Sequence, residues 1–184
     1  RVLEAAPGLV VIDEAYQPFA IDSWMPRLPQ YPNLAVLRTV SKLGLAGLRL
    51  GYLAAAAPWL DELEKLRPPY NVNVLTEAAA RFALEHLEVF EGQAARLRAA
   101  RESLAEALRA LLADVAGSAV FPSRANFLLV RVPDGPATMA RLRARGVLVK
   151  DVGRMHASLR NCLRLTVGTD EENRLLVEAL RESL

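Results

Sequence analysis

The sequence is poor in cysteine and histidine. It contains one cysteine, Cys162, and two histidines, His86 and His156, which lie far apart in the chain. A lone cysteine forms no internal disulfide, which is typical of a reducing compartment, so we expect a cytoplasmic protein. These three residues are also too few and too widely spaced for a metal-ligand cluster, so no metal site is predicted.

Long apolar runs and a strong net charge are missing as well. The formal net charge is +2, and the run Leu53–Leu60 is interrupted by Pro58, well short of a membrane span. We therefore expect neither nucleic acid nor a membrane as a partner. The chain begins at Arg1 with neither a signal peptide nor an initiator methionine, so we expect it to be a fragment of a longer protein.

Apolar sequence sufficient for a sizeable core is present, since 52% of the 184 residues are hydrophobic. Short runs rich in apolar residues predict buried strands at Leu9–Ile12, Leu34–Val40 and Leu50–Ala57. The leucine- and alanine-rich segment Val74–Leu112 predicts a long helical stretch in which Gly92 marks a bend or a break. Because a glycine loop joins the last two strands, that pair can be antiparallel and the sheet mixed.

The sequence after Gly117 predicts a smaller unit in the order β-β-α-β-β-α. Its predicted strands are Ala119–Phe121, Asn126–Val132, Val147–Lys150 and Cys162–Val167. Its predicted helices are Ala137–Arg145 and Glu171–Ser183, the second capped by Asp170. We therefore expect an α/β protein divided into residues 1–73, 74–112 and 113–184.

The most informative stretch is Thr39–Tyr52, which carries Lys42 and Arg49 among several glycines. Lys42 lies where a buried strand gives way to a loop, and glycines allow a backbone to approach a ligand closely. We interpret Lys42 as an amine that forms a Schiff base with an aldehyde cofactor, and Arg49 as the group that holds the cofactor phosphate. A solvated turn with two unrelated cations is the alternative.

Asp13 follows the first predicted strand as Lys42 follows the second. Ligands of open α/β sheets bind outside the carboxyl ends of the strands, so both side chains are expected at one crevice. A carboxylate facing a pyridine nitrogen favours the protonated ring, which is an electron sink for carbanion chemistry. Tyr16 could bond the ring oxygen, and Ser41 could bind phosphate with Arg49. The alternative for Asp13 is a turn cap.

Four segments, in order along the chain, resemble one known family. They are Ile-Asp-Glu-Ala-Tyr at 12–16, Ser-Lys-x-Gly-Leu-Ala-Gly-Leu-Arg-x-Gly-Tyr at 41–52, Pro-Tyr-Asn-Val-Asn at 69–73 and Cys-Leu-Arg-Leu-Thr-Val-Gly-Thr at 162–169. Together they resemble the fold-type I pyridoxal-phosphate aminotransferases, most closely the histidinol-phosphate branch. The resemblance implies part of a large domain with a mixed, mostly parallel sheet, a long connecting helix and a small α+β domain.

The resemblance also implies a role for each matching residue. Lys42 would bind pyridoxal 5'-phosphate covalently and then carry a proton as the catalytic base. Asp13 would pair with the pyridine nitrogen and Tyr16 with the 3-oxygen. Ser41 and Arg49 would bind the cofactor phosphate.

On the substrate side, Arg164 would take the α-carboxylate, and Tyr70 would face the substrate with Asn71 nearby. Lys150 stands where relatives commonly carry an arginine near the substrate phosphate, and lysine keeps the charge but loses the bidentate geometry. The implied reaction is transamination between histidinol phosphate and 2-oxoglutarate in histidine biosynthesis. The implied enzyme is a homodimer with small amino-acid and keto-acid substrates, and its N-terminal half has no counterpart here.

Other interpretations remain open at this stage. The same fold serves a threonine-phosphate decarboxylase or an aromatic aminotransferase, because one electron sink supports either bond cleavage. Leu9–Glu14 also resembles a Walker B strand, with Arg49 as an arginine finger, although the chain has no G-x-x-x-x-G-K-[ST] loop. A third possibility is a dimerisation fragment without activity.

Overall fold

The computed structural model of the chain describes residues 1–20 and 22–184. These residues form two compact units, Arg1–Ala94 and Ala95–Leu184. Strands and helices are mixed in both units, so the predicted α/β class is confirmed. Among the described residues, no helix has the length and apolar character that crossing a lipid bilayer demands.

The first unit is built on a three-stranded sheet. In spatial order its strands are β1 (Val10–Asp13), β2 (Leu34–Thr39) and β3 (Gly51–Ala55). β1 and β2 are parallel and β2 and β3 are antiparallel, which confirms the mixed sheet. Gly51 is required where β3 begins, because a Cβ there would lie 2.9 Å from the Arg38 carbonyl oxygen. The glycine therefore permits the pairing that turns the chain back along β2.

Helices of the first unit precede and follow the sheet. They are α1 (Val2–Ala5), α2 (Ala57–Glu64) and α3 (Val74–Glu85). The next helix, α4 (Leu87–Leu112), begins in the first unit and continues into the second. Of the bend or break expected at Gly92, the break is wrong, because α4 runs through Gly92 and the helix is interrupted at His86 instead. His86 leaves the helical conformation, with φ −118° and ψ 35°, and its N–H ends α3 on the Ala83 carbonyl. Gly92 is tolerated because one glycine costs only about 1 kcal/mol in a helix of good helix formers.

The second unit contains a four-stranded antiparallel sheet and follows the predicted β-β-α-β-β-α order. Its strands, in spatial order, are β4 (Ala119–Val120), β5 (Phe127–Arg131), β7 (Cys162–Thr166) and β6 (Lys150–Asp151). Its helices are α5 (Gly135–Ala144) and α6 (Asp170–Arg181). One face of the sheet lies in the core, where the buried side chains include Leu108, Leu128, Val130, Leu142, Leu163, Leu165 and Leu180.

Two of the boundaries that differ from the prediction in the second unit have a local hydrogen bond as their cause. The strand predicted at Val147–Lys150 is shorter and later, because the Val147 N–H bonds the Leu142 carbonyl just after α5. The cap of the last helix is Thr169 rather than Asp170. Thr169 accepts the Glu172 N–H, and the Glu172 carboxylate accepts the Thr169 N–H at 2.8 Å, which is a reciprocal capping box.

A buried ion pair ties the end of β1 to β2. Glu14 is only 8% exposed, and its carboxylate accepts hydrogen bonds from Arg38 at 2.9 and 3.0 Å. The Ser23 hydroxyl donates to the same carboxylate, as does the Trp24 N–H. A carboxylate is buried at tolerable cost only when it is paired in this way. The network fixes the course of the chain directly after Asp13.

We expect Thr169→Ala to lower the free energy of unfolding by about 1 kcal/mol, because it removes the capping hydroxyl of α6. Thr169→Ser keeps the hydroxyl and is the matched control. Urea denaturation followed by circular dichroism measures both. Identical transitions for Thr169→Ala and the unsubstituted chain would contradict the role of the cap.

The same cap predicts a pH dependence. Hydrogen bonds from the Thr169 N–H and then its hydroxyl hold the pKa of Glu172 below its ordinary value. A carboxyl whose pKa is lowered in the folded state stabilises the protein above its unfolded pKa, and this stabilisation is lost as pH falls through the folded pKa. We therefore expect the difference between Thr169→Ala and the unsubstituted chain to shrink once acid protonates Glu172. If this difference in the free energy of unfolding grew as the pH fell, the predicted direction of the pH dependence would be wrong.

We expect Arg38→Met to destabilise the first unit by on the order of 3 kcal/mol, because Glu14 would stay buried without its counter-ion. The double variant Glu14→Gln, Arg38→Met removes both charges and should recover part of the loss. Denaturant unfolding of both variants tests the pair. Equal losses in the single and the double variant would show that the uncompensated charge is not the cause.

Candidate functional site

Five of the predicted site residues follow the ends of two neighbouring strands in the first unit. Asp13 is the last residue of β1, and Tyr16 comes three residues later. Ser41 and Lys42 lie in the 3-10 turn that follows β2, and Arg49 precedes β3. Because β1 and β2 are parallel, their carboxyl ends meet at one edge of the sheet, where ligands of open α/β sheets bind.

Lys42 and Tyr16 are brought together by this arrangement. The Lys42 Nζ lies 5.1 Å from the centroid of the Tyr16 ring. Both side chains are half-buried, and no described carboxylate forms an ion pair with Lys42. A half-buried amine without an acidic partner is chemically available to an aldehyde.

Asp13 lies at the edge of an open depression of about 400 Å³, lined also by Thr39, Gly51 and Tyr52. One Asp13 carboxylate oxygen accepts the Ala15 N–H at 2.8 Å, and the described residues give this side chain no cationic partner. The carboxylate is therefore available to a protonated ring nitrogen. The described lining of the depression does not include Lys42, so strand order rather than a shared cavity relates the two groups.

Ser41 is positioned by Thr39, a residue that the sequence reasoning missed. The Thr39 hydroxyl accepts the Ser41 N–H at 3.1 Å and lies 2.9 Å from both the Ser41 hydroxyl and the Leu50 carbonyl oxygen. One side chain thus links the end of β2 to the loop before β3. The sequence does contain a sign of this contact, because the hydroxyl of a threonine often forms a hydrogen bond with the backbone two residues further on.

Arg49 holds a strained backbone conformation at φ 50° and ψ 34°. Only three non-glycine residues of the described chain have positive φ, namely Arg49, Tyr70 and Asn161. Asparagine tolerates this region, whereas arginine and tyrosine rarely adopt it, and such strain clusters at functional sites. The exposed Arg49 side chain forms no ion pair with a described residue, so its charge is free for an anion.

Tyr70 and Asn71 are not in contact with these groups. Tyr70 is 97% exposed, so it packs against none of the proposed cofactor residues. Asn71 accepts a hydrogen bond from Arg67 at 2.9 Å. The loop around Tyr70 is therefore separate from the cofactor residues of the first unit.

Two predicted substrate residues are neighbours in the second unit. Lys150 on β6 lies directly opposite Arg164 on β7. The Arg164 Nε is buried without a hydrogen-bond partner among the described residues, and its guanidinium carbon lies 5.2 Å from the Phe127 ring centroid. Two cations placed opposite each other repel, and neither has a described carboxylate partner. This pair is suited to an anionic ligand.

The donor set of the first unit fits pyridoxal phosphate. Lys42 supplies a primary amine for an aldehyde, Asp13 a carboxylate for a ring nitrogen, and Tyr16 a phenol for a ring oxygen. Ser41 and Arg49 supply a hydroxyl and an unpaired guanidinium for phosphate. Together these groups are suited to the amine, ring and phosphate chemistry of pyridoxal phosphate.

Glu14 does not fit the Walker B alternative. In that interpretation the residue after the aspartate polarises a water molecule. Glu14 is instead buried and holds Arg38, Ser23 and the Trp24 N–H. Glu14 therefore stabilises the fold, and no sequence pattern identified its partners in advance.

Comparisons with known proteins identify the family to which the chain belongs. The family described as "Aminotransferase class I and II" matches residues 1–180. Histidinol-phosphate aminotransferase 2 of Cupriavidus pinatubonensis is 58% identical over 188 residues, covering 100% of this chain and 50% of that protein. The chain thus spans about half the length of the curated relatives that it matches.

Two solved structures share the fold. Histidinol-phosphate aminotransferase of Sinorhizobium meliloti, in complex with pyridoxal-5'-phosphate, is 29% identical with a TM-score of 0.77, over 95% of this chain and 48% of that one. L-threonine-O-3-phosphate decarboxylase of Porphyromonas gingivalis is 24% identical with a TM-score of 0.81, over 94% of this chain and 54% of that one, a likeness of fold alone. By the match across nearly its whole length, the chain belongs to the class I and II aminotransferase family.

Proposed function

We propose that the complete protein is a pyridoxal-phosphate-dependent aminotransferase that exchanges an amino group between histidinol phosphate and 2-oxoglutarate in histidine biosynthesis. The observation that carries the proposal is the Lys42 amine beside the Tyr16 ring, at the carboxyl ends of β1 and β2 where Asp13 also lies. The curated relatives named histidinol-phosphate aminotransferases, at 58% identity, support the choice of substrate. The proposed enzyme is a cytoplasmic homodimer.

Each group of the first unit has a distinct task in this proposal. When bound, pyridoxal phosphate supplies the electron sink that stabilises a carbanion at the substrate Cα. Lys42 attaches the cofactor and then moves the proton at the substrate Cα, since a positioned amine is an effective base. Asp13 keeps the ring nitrogen protonated by its negative charge. Tyr16 donates to the 3-oxygen, and Ser41 and Arg49 hold the phosphate through charge-assisted hydrogen bonds.

The cations of the second unit recognise the anionic ends of the substrates. Arg164 presents a planar guanidinium that matches a carboxylate bidentately, whereas Lys150 is a point charge suited to a phosphate oxygen. Their cross-strand pairing places two positive charges side by side. Tyr70 and Asn71 are proposed to face the substrate, with the strained Tyr70 backbone as support.

The runners-up within the same fold are a threonine-phosphate decarboxylase and an aromatic aminotransferase. One electron sink supports either loss of carbon dioxide or loss of a proton, and the decarboxylase is similar in fold alone. Product analysis separates the candidates. Keto-acid formation from histidinol phosphate supports the proposal, and release of carbon dioxide supports the decarboxylase.

We expect Lys42→Ala in the full-length enzyme to lower the transamination rate roughly a thousandfold or more, because the catalytic base is lost. Borohydride should also no longer fix a pyridoxyl group on the chain, as peptide mapping of the reduced protein measures. Lys65→Ala is the matched control, since Lys65 is an exposed lysine that pairs with Glu62. An active, borohydride-labelled Lys42→Ala variant would refute the assigned role.

We expect Arg164→Ala to raise the KM for both amino donor and keto acid roughly ten- to hundredfold, which is the range for loss of a charged hydrogen bond. Arg164→Lys should give an intermediate value, because the charge remains without the planar geometry. The control is Arg109→Ala on the exposed side of α4. Steady-state kinetics measures both KM values. Unchanged KM values for both substrates would contradict a role of Arg164 in binding the carboxylate.

A further inference from the structure

We propose that Phe127 is a positioning residue, whose ring holds the Arg164 guanidinium in place while leaving its charge available to the substrate. The inference rests on the proposed function, because Arg164 is the residue assigned there to the substrate carboxylate. It adds a residue that neither the family motifs nor the sequence patterns single out.

The sheet register places the two side chains together. Phe127 on β5 pairs with Thr166, and Leu129 pairs with Arg164, so Phe127 is diagonal to Arg164 on the same face. Diagonal neighbours in an antiparallel pair are within reach of aromatic and long side chains. The guanidinium carbon of Arg164 lies 5.2 Å from the ring centroid, within the range of a cation–π interaction.

Arg164 has few other contacts that could fix it. Its Nε is buried without a hydrogen-bond partner, and the described residues offer it no carboxylate. Lys150 lies directly opposite on β6 and repels it. An arginine that must be ordered on binding loses affinity, so a group that orders the guanidinium beforehand favours binding. The Phe127 ring is therefore the one described partner that attracts the guanidinium.

An aromatic ring has an advantage over a carboxylate in this position. A carboxylate would order Arg164 but would also neutralise it and compete with the anionic substrate. The face of a ring attracts the cation through its quadrupole and leaves the N–H donors at the guanidinium edge available. Phe127 can thus order the arginine without occupying the groups that recognise the ligand.

A second arginine on this sheet provides the contrast. Arg131 lies 5.3 Å from the Phe121 ring centroid, in a contact of the same kind. Its Nη2, however, donates a hydrogen bond to the Ser158 carbonyl at 2.7 Å. Arg131 is therefore fixed by a hydrogen bond as well as by a ring, and Phe121→Leu serves as a matched control for the loss of a ring.

The test uses Phe127→Leu and Phe127→Tyr in the full-length enzyme, with succinate as an unreactive dicarboxylate probe. Phe127→Leu should weaken succinate binding by roughly three- to thirtyfold, the range expected for a lost cation–π interaction. It should raise the KM for both substrates similarly and leave kcat nearly unchanged. Phe127→Tyr should restore binding because it keeps the ring, and Phe121→Leu should change neither quantity.

A double-mutant cycle separates positioning from general loss of structure. In the Arg164→Ala background, Phe127→Leu should weaken succinate binding no further, because the group that it positions is gone. Phe127→Met, closer in volume to the native side chain, repeats the measurement if the leucine variant unfolds. An equal loss of affinity in both backgrounds, or no loss in either, would overturn the inference.

The outcomes for the two proposals are distinguishable. A full-length protein that neither binds pyridoxal phosphate nor transaminates contradicts the proposed function, whatever the succinate cycle shows. An active enzyme in which Phe127→Leu has unchanged KM and succinate affinity contradicts only the role of Phe127. Calorimetric titration with succinate requires no turnover. It therefore measures the coupling between Phe127 and Arg164 as a change in succinate affinity, independently of catalysis.

Discussion

The ion pair between Glu14 and Arg38 is the constraint on which the candidate cofactor site depends. Asp13 and Glu14 are consecutive, so the anchoring of Glu14 to β2 also fixes where Asp13 ends β1. The chain from Glu14 to Tyr16 then turns towards Lys42, which itself follows β2. One of two adjacent carboxylates is buried to hold the backbone, and the other is left exposed for chemistry. The two residues cannot exchange these roles, because the Glu14 side chain is buried and the Asp13 side chain is exposed.

Hydrogen bonds also fix the conformation of the loop after β2. The Thr39 hydroxyl ties Ser41 to the chain before β3, and the stretch between them contains Gly44 at φ 92° and the strained Arg49. A left-handed arginine is unfavourable by itself and persists only because surrounding hydrogen bonds determine it. The strain thus lies at the residue that is proposed to bind the cofactor phosphate, next to a strand whose register is fixed by pairing.

The sequence predicted the strands well because short apolar runs bounded by glycine and proline allow few alternatives. It also predicted the positions of Asp13 and Lys42 at the ends of neighbouring strands, since β1 ends at Asp13 and Lys42 follows β2. It did not predict that Glu14 pairs with Arg38 or that Phe127 contacts Arg164, since these partners lie 24 and 37 residues apart in the numbering and meet only through strand pairing. The break at His86 was missed because neither glycine nor histidine is a strong helix former, so helix propensity alone did not distinguish Gly92 from His86 as its position.

The four cations of the proposed site differ in their partners from several cations on the helix surfaces. Helix-surface cations such as Lys65 and Arg174 pair with acids three or four residues away, as exposed helices allow. Lys42 and Arg49 in the first unit, and Lys150 and Arg164 in the second, have no such partner among the described residues. An aromatic ring accompanies two of the four, Tyr16 at Lys42 and Phe127 at Arg164. Rings order cations without neutralising them, so the positive charge remains available to a phosphate or a carboxylate.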